Sequence, residues 1–151
     1  MSTDIKQIFE LTGELKAGEK ELLENAYAFA EKAHEGQKRH SGDPYFVHVF
    51  ETAKILASLG MDAKTIAAGF MHDVLEDTEI KESEMEEKFG KDIVFFVNGV
   101  TKLGTLKYRG HERHVESLRK FFVAMSNDLR VVIIKLADRL HNLRTLEHVR
   151  E

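Results

Sequence analysis

The sequence predicts an all-α fold. Apolar residues recur at three- and four-residue spacing along nearly the whole chain. Proline occurs once in 151 residues, at Pro44, so almost nothing interrupts a helix from within. The main strand-like run, Val131-Val132-Ile133-Ile134, continues through Lys135 to Leu143 at helical spacing. A buried helix there outweighs the local β preference of the branched residues.

The elements follow in order. A short helix is expected near Ile5–Leu11, broken around Gly13–Gly18. A longer one runs from about Glu19 to Glu35, with Leu22, Leu23, Ala26, Phe29, Ala30 and Ala33 on one apolar face and Gly36 as its stop. A loop reaches Asp43, which reads as an N-cap, with Pro44 at the first helical position. That helix runs to Ser58. Gly60 separates it from a helix over Asp62–Leu75, and Asp77-Thr78 opens a loop. Ser83–Phe89 and Ile93–Val100 read as helices on either side of Gly90. The stretch Thr101–Gly110 is ambiguous and could cover a site. Helices near His111–Met125 and Leu129–Thr145 complete the map. Phe95, Phe96, Phe121 and Phe122 read as core. Residues 1–18 form an extension or short helix, and 19–151 one domain.

Composition narrows the chemistry. The chain is 42% hydrophobic, enough for a core, and carries no cysteine. Disulfides and thiolate metal sites are therefore excluded, which suits a cytoplasmic setting. No run of 18 apolar residues calls for a membrane span. A formal charge of −4 argues against direct nucleic-acid binding, whereas local basic spots such as Lys38-Arg39-His40 suit a small anion.

The chemistry concentrates around His72-Asp73, set in the apolar segment Gly69–Leu75. His48 upstream and Asp138 downstream could join them on one divalent metal. Mixed imidazole and carboxylate ligands suit manganese, iron, cobalt or zinc better than calcium, with magnesium less favoured. On pattern alone, His48 also reads as a surface or satisfied core histidine, and Asp138 as a helix cap or an Arg139 ion-pair partner. A buried unpaired carboxylate is costly, which favours a bound partner for Asp138. Glu76 follows His72 by four residues and can share its face, placing it to exchange a proton with water. Asp77 could orient that water or assist a leaving group. Arg39, in a basic loop that lacks the Walker pattern, could pair with phosphate or stack on a base. Asn142 and Thr145 share the Asp138 side of their helix. Lys102 could reach a pyrophosphate. His141 reads as off-phase from Asp138 and so as structural or superficial. His34, His40, His111, His114 and His148 lack a comparable constellation.

These segments, in this order, resemble the N-terminal HD-type hydrolase domain of the RelA/SpoT homologue family. The residues that carry the resemblance are Gly36–Tyr45 through His48, then His72–Thr78, Val100–Leu103 and Lys135–Thr145. It spans about Glu19 to Glu151. It implies an HD-domain helical bundle, with His48, His72, Asp73 and Asp138 as ligands of Mn2+. It implies Glu76 and Asp77 as the catalytic acidic pair, Arg39 beside a guanine base, and Asn142 and Thr145 against the nucleoside. Lys38, His40, Ser41 and Lys102 would contribute to the pocket. The implied reaction is hydrolysis of guanosine 3',5'-bis(diphosphate), or its 5'-triphosphate relative, to GDP or GTP plus pyrophosphate. No catalytic position of the family is replaced.

Two departures stand out. No synthetase domain follows, and family domains continue with further helices beyond the position of Thr145. The chain is therefore expected to be a C-terminally truncated part of a longer protein with synthetase and regulatory domains, its oligomeric state open. Another HD-type nucleotide phosphohydrolase, or a non-catalytic alarmone-binding fragment, are the alternatives.

Overall fold

The computed structural model describes residues 2–104 and 128–145. They form an all-α bundle with no β-sheet among them. The helices are α1 (Lys6–Thr12), α2 (Glu19–Ala33), α3 (Tyr45–Ser58), α4 (Ala63–Met71), α5 (Val74–Asp77), α6 (Glu82–Phe89), α7 (Lys91–Gly104) and α8 (Leu129–Arg144). The helix expected near 111–125, with Phe121 and Phe122, lies outside the described residues.

α4 is the central element. Every residue of it except Lys64 is buried, as expected of a helix apolar on all sides. It packs against α2, α3, α7 and α8. Small residues permit this crowding: a side chain at Gly69 would collide with Leu56 of α3. Tyr27 of α2 sets its ring edge-on to Phe46, Phe50 and Phe70, tying α2 to α3 and α4. Ile8 of α1 is fully buried in the same core.

Val131–Ile134 is helical, with Val131, Val132 and Ile134 buried. The Asp128 carboxylate caps α8 by accepting from the Arg130 N–H at 2.9 Å. α7 approaches α8 closely at Gly99, where an added Cβ would lie 2.8 and 2.9 Å from the two Val131 methyls. Valine is stiff at χ1, so neither methyl can rotate away freely. Gly99→Ala is expected to destabilise the domain by about 1–3 kcal/mol, the usual cost of overpacking. Urea unfolding checks this, and an unchanged midpoint would show that the α7–α8 spacing can give.

Four expectations need correction. α3 begins at Tyr45, and Pro44 takes the capping position with no side-chain cap. Asp43 instead closes a turn: its carbonyl accepts from Arg39 N–H at 2.9 Å, and its carboxylate accepts from the Ser41 hydroxyl at 3.0 Å. The expected 62–75 helix is two helices, interrupted at His72-Asp73. Phe95 is 48% exposed, because the buried stripe of α7 runs through Ile93, Phe96, Val97 and Val100 and leaves it on the opposite face. His141 is buried at 4% exposure, the structural alternative rather than the superficial one, but the phase reasoning behind it was wrong. A spacing of three from Asp138 makes the two helical neighbours, so the phase argument against it fails.

Candidate metal centre and adjoining pocket

Three helices deliver the cluster. α3 presents His48, the α4–α5 junction presents His72 and Asp73, and α8 presents Asp138. α3 packs against both α4 and α8, so the packing that buries the core also closes the site. The helix break lets adjacent residues converge. Asp73, at φ −101° and ψ −2°, is the N-cap of α5, its carbonyl accepting from the Asp77 N–H at 2.9 Å, and its carboxylate lies beside the His72 ring.

One ligand atom from each of the four residues lies within 4.8 Å of all the others. His48 Nε2 is 2.8 Å from Asp138 Oδ1 and 3.8 Å from Asp73 Oδ2. His72 Nε2 is 2.9 Å from Asp73 Oδ2 and 3.3 Å from Asp138 Oδ1. Atoms that each bind one ion at about 2.1 Å lie roughly 3 Å apart in adjacent positions, so the set fits a single divalent cation. The donor chemistry also fits: two neutral imidazoles offer nitrogen and two carboxylates offset the charge.

The surroundings orient these ligands. His72 Nδ1 donates to the Gly69 carbonyl at 2.7 Å, leaving Nε2 facing the cluster. The Tyr45 hydroxyl donates to Asp73 Oδ2 at 2.6 Å, and Lys135 Nζ donates to Asp138 Oδ2 at 3.0 Å. His48 Nδ1 meets His141 Nδ1 at 2.8 Å. Tyr45, Lys135 and His141 were not anticipated as helpers. Each stands three residues from a ligand on the same helix, a spacing that could have flagged them.

Electrostatics follow from this packing. Burial holds the His48 imidazole below its ordinary value, and Asp138 only partly offsets that. Burial also penalises charge on His72, but Asp73 and Asp138 outweigh it and raise its pKa well above the usual range. Burial works against both carboxylates, yet His72 lowers Asp73, while His48 and His72 lower Asp138, so both stay ionised. Burial and the Asp73 charge push the Tyr45 phenol far up, so it remains a donor. His141 is lowered to about 4, first by burial, then by the neighbouring His48 and by the Arg39 and Arg144 guanidiniums. Glu76 and Asp77 are exposed, yet both are raised, by partial burial and then by the Asp73 carboxylate.

A pH dependence follows. Near neutrality the metal-free site holds a proton on His72, which a cation must displace. Binding therefore releases about one proton per ion, and affinity rises about tenfold per pH unit until His72 loses its proton unaided. Calorimetry of manganese binding in buffers of different ionisation enthalpy reads this number. A buffer-independent enthalpy at neutral pH would rule out the displaced proton.

The basic loop meets the far end of α8. Lys38 and Pro44 pair as an isolated bridge, closing a turn at Gly42, whose φ of +89° favours glycine. Arg39 Nη2 donates to Asn142 Oδ1 at 2.7 Å, and Nη1 donates to Thr145 Oγ1 at 3.2 Å. Three expected pocket residues thus assemble across more than 100 positions of sequence. Lys38 and His40 stand exposed on the loop, Ser41 is turned to Asp43, and Lys102 is exposed in the last turn of α7. His34, which lacked a constellation in the sequence, is buried against Tyr45, with Nδ1 3.0 Å from Gln37 Oε1. Gln37 Nε2 in turn donates to the Asp77 carbonyl at 3.0 Å, linking this loop to α5.

Against this geometry, a model of the HD domain matches residues 26–151. The chain belongs to the HD-domain family. Among relatives of this HD domain, a "GTP pyrophosphokinase" of Streptomyces coelicolor is 48% identical over 128 residues, covering 85% of this chain and 15% of the relative. The "Bifunctional (p)ppGpp synthase/hydrolase SpoT" of Escherichia coli is 48% identical over 129 residues, covering 85% of this chain and 18% of the relative. A solved structure described as "A metazoan ortholog of SpoT hydrolyzes ppGpp and plays a role in starvation responses" superposes with a TM-score of 0.69 at 28% identity. That match covers 89% of this chain and 74% of the other. These matches make it an HD domain of the RelA/SpoT type. It spans less than a fifth of the length of the two curated relatives.

Proposed function

We propose that this HD domain is a manganese-dependent hydrolase of guanosine 3',5'-bis(diphosphate) or its 5'-triphosphate relative, releasing GDP or GTP and pyrophosphate. The observation that carries the reading is one helix, α8, serving two sites. Asp138 closes the metal cluster, while Asn142 and Thr145, one and two turns later, hold the Arg39 guanidinium. A cation site and a planar, base-stacking group therefore stand side by side, as a nucleotide bearing a 3'-diphosphate requires. The relatives named as (p)ppGpp hydrolases support this substrate.

His48, His72, Asp73 and Asp138 would hold the ion. A bound divalent cation supplies Lewis acidity toward a phosphoryl oxygen and toward water. Tyr45 and Lys135 keep the two carboxylates aimed at the site. Arg39 stacks on the guanine, with Asn142 and Thr145 holding the nucleoside. Lys38 and Lys102 offset phosphate charge, while His40 and Ser41 contribute polar groups to the pocket. Water attacks the phosphorus bonded to ribose O3', the O3'–phosphorus bond breaks, and pyrophosphate carries away the oxygen of water. Two protons must move: water loses one and O3' gains one. Glu76 and Asp77, both with raised pKa, are suited to accept and deliver them.

Among the described residues no helix is long and apolar enough to cross a membrane. A cytoplasmic setting, with the free nucleotide as partner and no nucleic acid, goes with this reading.

The test is a product assay with manganese and an EDTA control. Metal-dependent formation of GDP and pyrophosphate is expected. Turnover of other phosphate esters with no need for a 3'-diphosphate would instead indicate a different phosphohydrolase. Tight binding without turnover would indicate a regulatory pocket.

A further inference from the structure

His141 is buried beside the metal cluster yet is not one of its four candidate ligands. Its Nδ1 lies at hydrogen-bond distance, 2.8 Å, from His48 Nδ1. Two imidazole nitrogens share such a bond only when one carries the proton and the other a lone pair. The bond therefore has two possible directions, and each dictates the tautomer of both rings. His72 has no such freedom. Its Nδ1 faces the Gly69 carbonyl, which only accepts, so that nitrogen carries the hydrogen with or without an ion.

We propose that His141 is the positioning residue that sets the tautomer of His48, and that metal loading reverses the hydrogen bond between them. The inference rests on the metal assignment above and not on the identity of the substrate. His48 Nε2 lies 2.8 Å from Asp138 Oδ1, within direct hydrogen-bond reach whenever no ion stands between them. A carboxylate only accepts, so His48 carries its proton on Nε2 and accepts at Nδ1 from His141 Nδ1–H. A metal ligand needs the Nε2 lone pair instead. His48 then carries its hydrogen on Nδ1 and donates to His141 Nδ1, and the His141 hydrogen sits on Nε2.

The protons balance. The bridging proton passes from His141 Nδ1 to His48 Nδ1, His48 Nε2 releases one, and His141 Nε2 takes one up. Neither ring changes its net charge. A backbone carbonyl in place of His141 would lock His48 as the Nδ1–H tautomer. A bare Nε2 would then face the Asp138 carboxylate whenever the ion left. An imidazole partner serves both states.

Proton–nitrogen correlation NMR of the imidazoles tests this on the whole chain, metal-free and loaded with Zn2+ as a diamagnetic ion. His48 is expected to change from the Nε2–H to the Nδ1–H tautomer on loading, and His141 from Nδ1–H to Nε2–H. A His141 that keeps one tautomer in both states overturns the proposal. Calorimetry with Mn2+ alone gives an independent readout. His141→Leu, which offers no polar atom, is expected to weaken binding about 10–100-fold, the usual loss for an outer partner of a ligand. His141→Asn can present either oxygen or N–H near the Nδ1 position and should stay within about threefold of wild type. A folded leucine variant with wild-type affinity, or an asparagine variant as weak as leucine, overturns the proposal. Should the leucine variant not fold, the wild-type spectra and the asparagine variant still decide. Absent turnover of the guanine nucleotide would count against the substrate and leave these readouts untouched.

Discussion

Asp138→Ala is expected to remove metal binding and hydrolysis together. Oδ1 of this carboxylate lies 2.8 Å from His48 Nε2 and 3.3 Å from His72 Nε2, so it touches both imidazoles of the cluster. Its removal deletes one ligand and one of the two charges that offset the cation. Manganese affinity should fall by more than about 100-fold, beyond the loss that outer-partner substitutions give. Turnover should fall by on the order of 10³-fold or more, since electrostatic stabilisation at the reacting phosphoryl group goes with the ion. The folded state should survive: Asp138 lies at the margin of the core, while Val131, Ile134 and Ala137 still anchor α8. Calorimetric titration and the product assay on one preparation check both losses. Unchanged affinity in a folded Asp138→Ala protein would mean the ion is held elsewhere.

Glu76→Gln should separate binding from chemistry. Glu76 is exposed and stands outside the four-residue ligand set. Its pKa is raised, by partial burial and then by Asp73 and Asp77, which brings it closer to the range where a carboxyl group exchanges protons at neutral pH. Glutamine keeps the shape and removes the proton exchange. Manganese affinity should therefore stay near wild type, while the single-turnover rate falls about 10²–10⁴-fold. Wild-type single-turnover rates would end the proton role assigned to Glu76. A parallel loss of metal affinity would instead move Glu76 into the ligand set.

Much of the fold was legible because it is local. Helical periodicity and one proline located the helices, and the continuation of Val131–Ile134 at helical spacing correctly overrode its β preference. Periodicity did not locate the helix break at His72-Asp73. The break shows in the sequence only through the chemistry, because adjacent ligands can meet on one ion only where helical geometry deviates. Its flanks, Gly69–Met71 and Val74-Leu75, are apolar and carry no stop signal, so periodicity ran straight through. Asp43 was misread for a similar reason. A residue suited to capping sits before proline, but its carbonyl and carboxylate are used to close the Arg39–Asp43 turn.

The sequence alone determined which chemical groups exist: two histidines and two carboxylates able to hold one cation, an acidic pair after them, and an arginine loop. The tertiary structure decided how they are paired. Tyr45 reaches Asp73 across 28 positions, His48 reaches Asp138 across 90, and Arg39 reaches Asn142 across 103. Helical phase reports only which neighbours share a face within a few residues. Contacts between helices depend on how closely α3, α4 and α8 pack. That closeness is set by side-chain volume, as at Gly69 against Leu56, and pattern alone does not encode it.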